Sequence, residues 1–328
     1  MKNKFLFNLL KLVICLNGAT LIIPNKFKAY PVLLFLVTAM LSIQTVRLKC
    51  LNYKRLFLLS LPFLIFCFSL LYTDNLLKGF SKLSTLSALV AFPLIMLILQ
   101  LTRVNFKIFE RLLYSSFILS VSIFGMCSFI YFWSQEFTLS ETIIHYSNLI
   151  NIRLGLFSIH PIYFSLYIGI ALILSLEKLK SLDKARLKVL IILIIIMNMV
   201  FMGILMRKGP IISFFLACIV WMFQNKSFRS FILISALASI IIGTITLLPK
   251  YKNFNRFGEL LSISNTHETK SSTQIRADIF KCSIQGVIES PIFGYGLGSS
   301  NKNLMSVIKS IQALMKLINI IAITNIYQ

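Results

Sequence analysis

The sequence predicts an all-α, polytopic integral membrane protein of about nine to ten transmembrane helices with one large extracytoplasmic loop. Three observations predict it. Of 328 residues, 57% are hydrophobic and 13% charged, with mean hydropathy +0.85, whereas a soluble domain carries about a quarter charged residues. Phe occurs 29 times, which suits lipid-facing helices better than a compact water-soluble core. Apolar runs follow one another with short cationic strips between them, and a bilayer core of about 30 Å needs roughly 17–25 apolar residues per helix.

On that length rule the spans fall near 5–23, 30–46, 56–72, 85–101, 115–133, 160–176, 189–206, 211–223 and 230–248, the eighth being short. Met1-Lys2-Asn3-Lys4 ahead of the first run is similar to a signal peptide. No small-x-small cleavage site follows clearly and many further spans do, so it reads as an uncleaved first helix. No internal repeat and no linker divides the chain, so 1–328 reads as a single membrane domain.

Lys and Arg number 33 against 10 Asp and Glu, a formal net charge of +23. In a soluble protein that excess would point to nucleic acid. Here the cations sit between apolar runs, where they set topology and meet anionic membrane lipid, and no helix-turn-helix, RNP or zinc-finger pattern accompanies them. Nucleic acid is therefore excluded as a partner. With the amino terminus inside, the cytoplasmic strips are 1–4, 47–55, 102–113, 177–188 and 224–229, dense in Lys and Arg from Lys2 to Arg229. The opposite strips hold chiefly Lys26, Lys28, Lys78, Lys82 and Arg153, the asymmetry that the positive-inside rule demands. The polar loops 134–159 and 249–289 then face the extracytoplasmic side together. Cys15, Cys50, Cys67, Cys127, Cys218 and Cys282 form no CxxC pair and mostly lie in apolar runs, so they read as small apolar side chains rather than a metal site or disulfide framework.

Ser290-Pro291-Ile292-Phe293-Gly294-Tyr295-Gly296-Leu297-Gly298-Ser299 interrupts this pattern. Each glycine costs about 1 kcal/mol in a helix relative to Ala, so the segment is a loop. In a membrane protein such backbone survives only against protein or beside a watery cavity. It ends an extracytoplasmic segment expected over 249–300. Arg207-Lys208-Gly209-Pro210 separates two apolar runs with almost no loop, and its two cations lie on the expected outer face. They read either as snorkelling side chains or as an anion site at a helix break. For phosphate, the planar fork of Arg207 is the better contact than the point charge of Lys208.

His160-Pro161-Ile162-Tyr163 opens the sixth span, with Pro161 suited to a first helical turn and His160 at the mouth as a cap, an interface residue or a ligand contact. Arg153 lies a turn or two upstream. Ser271-Ser272-Thr273-Gln274-Ile275-Arg276 can cap and begin a helix running to about Ile288, with Arg276 and Phe280 on one face; a solvated surface role for Arg276 stands beside a binding one. No Ser-His-Asp set, spaced carboxylate pair, Walker loop or metal-ligand cluster occurs. These features alone describe an anionic ligand handled at the outer face.

Three segments, in order, resemble one family. Arg153-Leu154-Gly155-Leu156-Phe157 with His160-Pro161-Ile162-Tyr163 resembles the opening of the central helices of bacterial O-antigen ligases and polymerases. Met206-Arg207-Lys208-Gly209-Pro210-Ile211 is similar to the family's Ser-Arg-Gly break. Arg276 followed by Pro291-Ile292-Phe293-Gly294-Tyr295-Gly296-Leu297-Gly298 resembles its large outer loop and glycine-rich segment. The resemblance covers roughly 150–300; the earlier spans match in hydropathy only. It implies a GT-C-like membrane glycosyltransferase acting on undecaprenyl-pyrophosphate-linked glycan at the outer side of the bacterial inner membrane, with no metal or nucleotide cofactor. Arg207 and Arg276 would hold the pyrophosphate, helped by Lys208, His160 and Arg153, while Gly294, Gly296 and Gly298 let backbone approach the donor.

The family's catalytic His, in a His-Asn or similar pair some twenty to thirty residues past the glycine segment, has no counterpart here, nor do its last transmembrane helices. The tail 301–328 is atypical, closing with Ala322-Ile323-Thr324-Asn325-Ile326-Tyr327-Gln328. A shifted reading frame is one expectation for it: were Ala322–Tyr327 encoded by GCC-ATA-ACC-AAT-ATC-TAC, reading from the third base would give His-Asn-Gln-Tyr-Leu, and other codons at Ala322 or Ile323 would remove the idea. The expectation is thus a glycosyltransferase truncated at its carboxyl end, active or inactive. Competing expectations are a transporter or flippase of lipid-linked sugars, which calls for mid-span charges and inverted repeats, and a membrane component without catalysis.

Overall fold

A computed structural model describes residues 2–43, 53–101, 106–135, 137–225, 272–291 and 294–299. Among these residues the regular structure is helical. The α-helices are α1 (Lys2–Gly18), α2 (Ala29–Ile43), α3 (Tyr53–Phe68), α4 (Leu76–Thr85), α5 (Ala88–Leu101), α6 (Phe106–Ser134), α7 (Leu139–Ile152), α8 (Pro161–Ser181), α9 (Ala185–Leu205), α10 (Lys208–Asn225) and α11 (Ser272–Glu289). Short 3-10 turns stand at Asn25–Phe27, Ser69–Tyr72 and Gly155–Phe157.

Eight of the nine expected spans fall on helices, and the ninth, 230–248, lies outside the described residues. Five stretches are long and apolar enough to cross a bilayer: Lys54–Tyr72, Leu76–Ile98, Lys107–Ser134, Pro161–Ser181 and Ala185–Leu205. By these apolar helices the chain is a multi-pass membrane protein. The described residues supply five spans toward the expected nine to ten, because helices such as α1 and α2, with 17 and 15 residues, rise only about 22–26 Å.

The chain gathers into two units. Residues Met1–Gln44 and Arg103–Ser262 form the first, Thr45–Thr102 and Ile263–Gln328 the second. In the first, α6 runs alongside α1, with Phe7 edge-on to Phe109 at 5.7 Å and Ser120 Oγ donating to Gly18 O at 3.0 Å. Helices α8 and α9 form an antiparallel hairpin, and α10 returns along α8. Phe124, Phe164, Ile168, Leu172, Met199 and Met202 fill the core between them. Lys178 Nζ donates to Ser115 Oγ at 2.7 Å, and Trp221 Nε1 to Glu177 Oε2 at 3.0 Å. Those bonds mark the end opposite to the α9–α10 link. In the second unit α3 packs on α5; Pro62 and Pro93 lie inside these helices, as membrane helices tolerate.

Two expected loops contain helices. The strip 73–84 holds α4, which starts where Asn75 Oδ1 accepts from Lys78 N at 3.0 Å. The segment 134–159 holds α7, begun by a capping box in which Thr138 and Glu141 bond each other's backbone. Its buried residues Thr142, Tyr146, Leu149 and Ile150 recur at helical spacing, so the segment is amphipathic rather than loop.

Glu141 accepts from Thr138 N at 2.9 Å and Thr138 Oγ1 at 2.8 Å, which holds its carboxyl below the ordinary value of 4.5. Its capping contribution is therefore present above pH 4.5 and lost as pH falls through the lowered folded value. Amide exchange over 139–145, corrected for intrinsic rates, is expected to rise on acidification below pH 4.5, and to be raised already at neutral pH in Glu141→Gln.

Candidate functional site

Helix α9 ends in a conformation that only this position adopts among described non-glycine residues. Met206 sits in the left-handed region at φ 44° and ψ 47°, a state costing roughly 1–2 kcal/mol for an L-residue. Its N–H donates to Met202 O at 3.2 Å, and its side chain is buried. Arg207 follows, its carbonyl taking the first i→i−4 bond of α10 from Ile211 N at 3.2 Å. Pro210 lies in that first turn, where a missing N–H costs little. The link between two apolar helices is thereby cut to two residues, at the positive end of the α10 dipole.

Arg207 and Lys208 are half-buried and Gly209 is exposed. Arg207 Nη2 donates to the hydroxyl of Ser147 on α7. The preceding residue, Tyr146, is fully buried. Its hydroxyl lies 2.7 Å from Ser128 Oγ and donates to Gly125 O at 3.3 Å, both on α6, and its ring stacks on Phe201 of α9 at 5.9 Å.

The α7–α8 link lies at the same end of this unit, since α8 and α9 are antiparallel. Ile159 N donates to Ile150 O at 3.0 Å, closing the link. Arg153 is exposed, its guanidinium 5.3 Å from the centre of the Phe137 ring. His160 is exposed and caps α8, with Nδ1 accepting from Ile162 N at 3.4 Å and its ring edge-on to Tyr163 at 5.9 Å. The cap role expected for His160 is present in the geometry.

In the second unit, α11 begins at Ser272, as the Ser271–Arg276 stretch predicts. The side chain of Arg276 lies outside the described residues. The glycine segment is clasped by residues 73–82. Gly298 N donates to Thr73 Oγ1 at 2.8 Å, Asp74 N donates to Ser299 Oγ at 2.8 Å, and Lys82 Nζ donates to Leu297 O at 3.0 Å. A Cβ on Gly298 would stand 2.1 Å from Asn75 O, and one on Gly296, at φ 76°, would stand 3.0 Å from Ser69 O. A Cβ on Gly294, at φ 65°, would meet nothing within 4 Å. The close approach served by Gly296 and Gly298 is to the chain's own backbone, and Gly294 is the exposed member. Tyr295 Oη donates to Glu289 Oε2, which raises the phenol's pKa above 10.0.

Sequence reasoning missed Ser147, Thr73, Asp74 and Ser299. The first was findable from Thr138-x-x-Glu141, a capping signature; the others are distant in sequence from the residues they hold.

This arrangement defines an all-α membrane protein with a guanidinium fixed at a helix break in the first unit and, within the second, a glycine segment fastened to residues 73–82. Residues 190–326 match the family model described as O-Antigen ligase, and this part of the chain is an O-antigen ligase family domain. The match takes in Arg207, Lys208, Arg276, the glycine segment and the tail to 326, and begins after Arg153 and His160. Enzymes of this family are glycosyltransferase-type ligases, and the family implies a lipid-linked glycan substrate. No curated protein matches, and no solved structure does.

The backbone contact at Gly298 has a direct consequence. Gly298→Ala is expected to detach 294–299 from Thr73–Asn75 and to speed limited proteolysis there at least about tenfold, the equivalent of about 1.4 kcal/mol. Gly294→Ala, in open space, should change the cleavage rate less.

Proposed function

We propose that the protein transfers glycan from an undecaprenyl-pyrophosphate carrier to a glycan or lipid acceptor at the outer face of the bacterial inner membrane, as a ligase or polymerase of polysaccharide. The single observation that carries this reading is the O-antigen ligase domain over 190–326 with Arg207 held at its helix break. The chemistry follows from charge. The acceptor hydroxyl attacks the anomeric carbon and gives up its proton to water, the bond from that carbon to the phosphate oxygen breaks, and the diphosphate departs with the electron pair. Cations already in place at the departing oxygens lower that barrier without reorganising. Arg207 supplies a fork that matches phosphate oxygens, Lys208 a second charge, and the α10 amino-terminal dipole adds to both.

Arg276, in the second unit, is assigned a phosphate-binding role by its place in the family resemblance alone, and Arg153 and His160 line the approach at the end of the bundle that bears Arg207. Gly294 is the backbone position open to the donor, while Gly296 and Gly298 hold the segment in place. The positive-inside asymmetry supports a cytoplasmic amino terminus and an outer location for Arg207.

In a host that depends on this chain, Arg207→Ala and Arg276→Ala are each expected to remove long glycan chains from a gel while lipid-linked repeats accumulate. Unchanged surface polysaccharide would exclude the enzyme in favour of a non-catalytic membrane component. Repeats trapped on the cytoplasmic face would point to transport instead.

A further inference from the structure

We infer that Ser147, set by its neighbour Tyr146, is a positioning residue that fixes the guanidinium plane of Arg207 toward the diphosphate. The inference rests on the reading of Arg207 as a diphosphate cation and goes beyond it by assigning α7 a part in recognition.

An arginine side chain has four rotatable bonds and about 2 kcal/mol of rotamer entropy to lose, so a guanidinium at the end of a helical bundle does not hold one plane unaided. Here three features hold it. The left-handed Met206 and the two-residue link fix the Cα of Arg207 relative to α9 and α10. The hydroxyl of Ser147 takes Nη2 from a third helix, sixty residues away in sequence. That hydroxyl is in turn immobile, because Tyr146 anchors α7 by bonds to Ser128 and Gly125 on α6 and by stacking on Phe201, five residues before Met206 on α9.

Tyr146 thus ties α7 to both helices that frame the break, and the next residue around the helix reaches the cation. A serine in mid-helix is a poorer helix former than alanine, and Ser147 is only half-buried, so neither propensity nor core filling accounts for it. The ligand class this suits is a diphosphate with two adjacent anionic phosphate groups, since a fixed fork discriminates oxygen spacing where a mobile one answers only to charge.

The test uses the purified full-length chain in lipid nanodiscs and measures binding of a short polyprenyl diphosphate against the corresponding monophosphate. Arg207→Ala is expected to lose diphosphate binding by more than about thirtyfold. Ser147→Ala is expected to weaken it about five- to tenfold, with the preference for diphosphate over monophosphate reduced and the thermal midpoint unchanged, while Ser147→Thr restores both affinity and preference. Tyr146→Phe should shift the preference in the same direction by a smaller factor. If Arg207→Ala loses binding and Ser147→Ala binds as the parent, the positioning role is overturned and the diphosphate site stands. A loss in Ser147→Ala that Thr fails to restore also overturns it, since packing then explains the effect. If Arg207→Ala binds as the parent, the diphosphate site itself fails.

Discussion

Everything at the candidate site depends on one constraint, a cation held at the end of an apolar helix bundle with almost no loop to carry it. A charge at the centre of a bilayer costs about 2.5–3.5 kcal/mol on insertion scales, so the residue belongs at a helix end, where its apolar stem can snorkel. A long loop would place it there with less definition. The break after α9 instead uses one left-handed residue, Met206, and turns directly into α10. The position of Arg207 is then set by packed helices. In the proposed transfer that matters because charges already in place stabilise a leaving group without having to move to meet it.

The glycine segment follows the same logic in the second unit by different means. Three glycines at alternate positions invite a single explanation, but the contacts divide them. Gly298 lies against Asn75 O and Gly296 against Ser69 O and Thr73, approaches that any side chain would obstruct. Gly294 borders open space. Hydrogen bonds from Gly298 N to Thr73 Oγ1, from Lys82 Nζ to Leu297 O and from Asp74 N to Ser299 Oγ satisfy backbone that a helix would otherwise satisfy, which is the condition for irregular backbone in such a protein. Two of its glycines serve packing, and Gly294 is the exposed one of the three.

Much of the helical pattern was legible in sequence because the apolar runs need only length and hydropathy to be seen, and the start of α11 because Ser-Ser-Thr precedes Arg276. The α9–α10 break was legible from Gly209 and Pro210. What escaped was whatever depended on period or on distance. Segment 134–159 looked polar, and its spacing of Thr142, Tyr146, Leu149 and Ile150 carried the helix instead. Strip 73–84 looked like a cationic connector, and Gly79, buried inside α4, shows that it packs. The clasp of Thr73 on Gly298 joins residues 225 apart, for which a single sequence holds no local signal. The loop 249–271, the ninth span and the tail 301–328 lie outside the described residues.

Interior polar groups explain how the bundle acquires a definite rotation of each helix. Lipid is as apolar as Leu, so burial does not choose which face of a membrane helix turns inward, and packing and interhelical hydrogen bonds do so instead, at about 0.6 kcal/mol or somewhat more each. Two such bonds lie on α6. Asn198 Nδ2 of α9 donates to Ser122 Oγ at 3.0 Å, and less than two turns further along, Ser128 Oγ meets the Tyr146 hydroxyl at 2.7 Å. The first sets α9 against α6, the second α7 against α6, and Phe201 stacked on Tyr146 closes the triangle. Rotating α7 or α9 by one residue, about 100°, would break a buried bond to α6 and carry Ser147 or Arg207 out of reach of the other. The polar residues inside the bundle are therefore what convert a string of apolar helices into a scaffold that points one guanidinium in one direction.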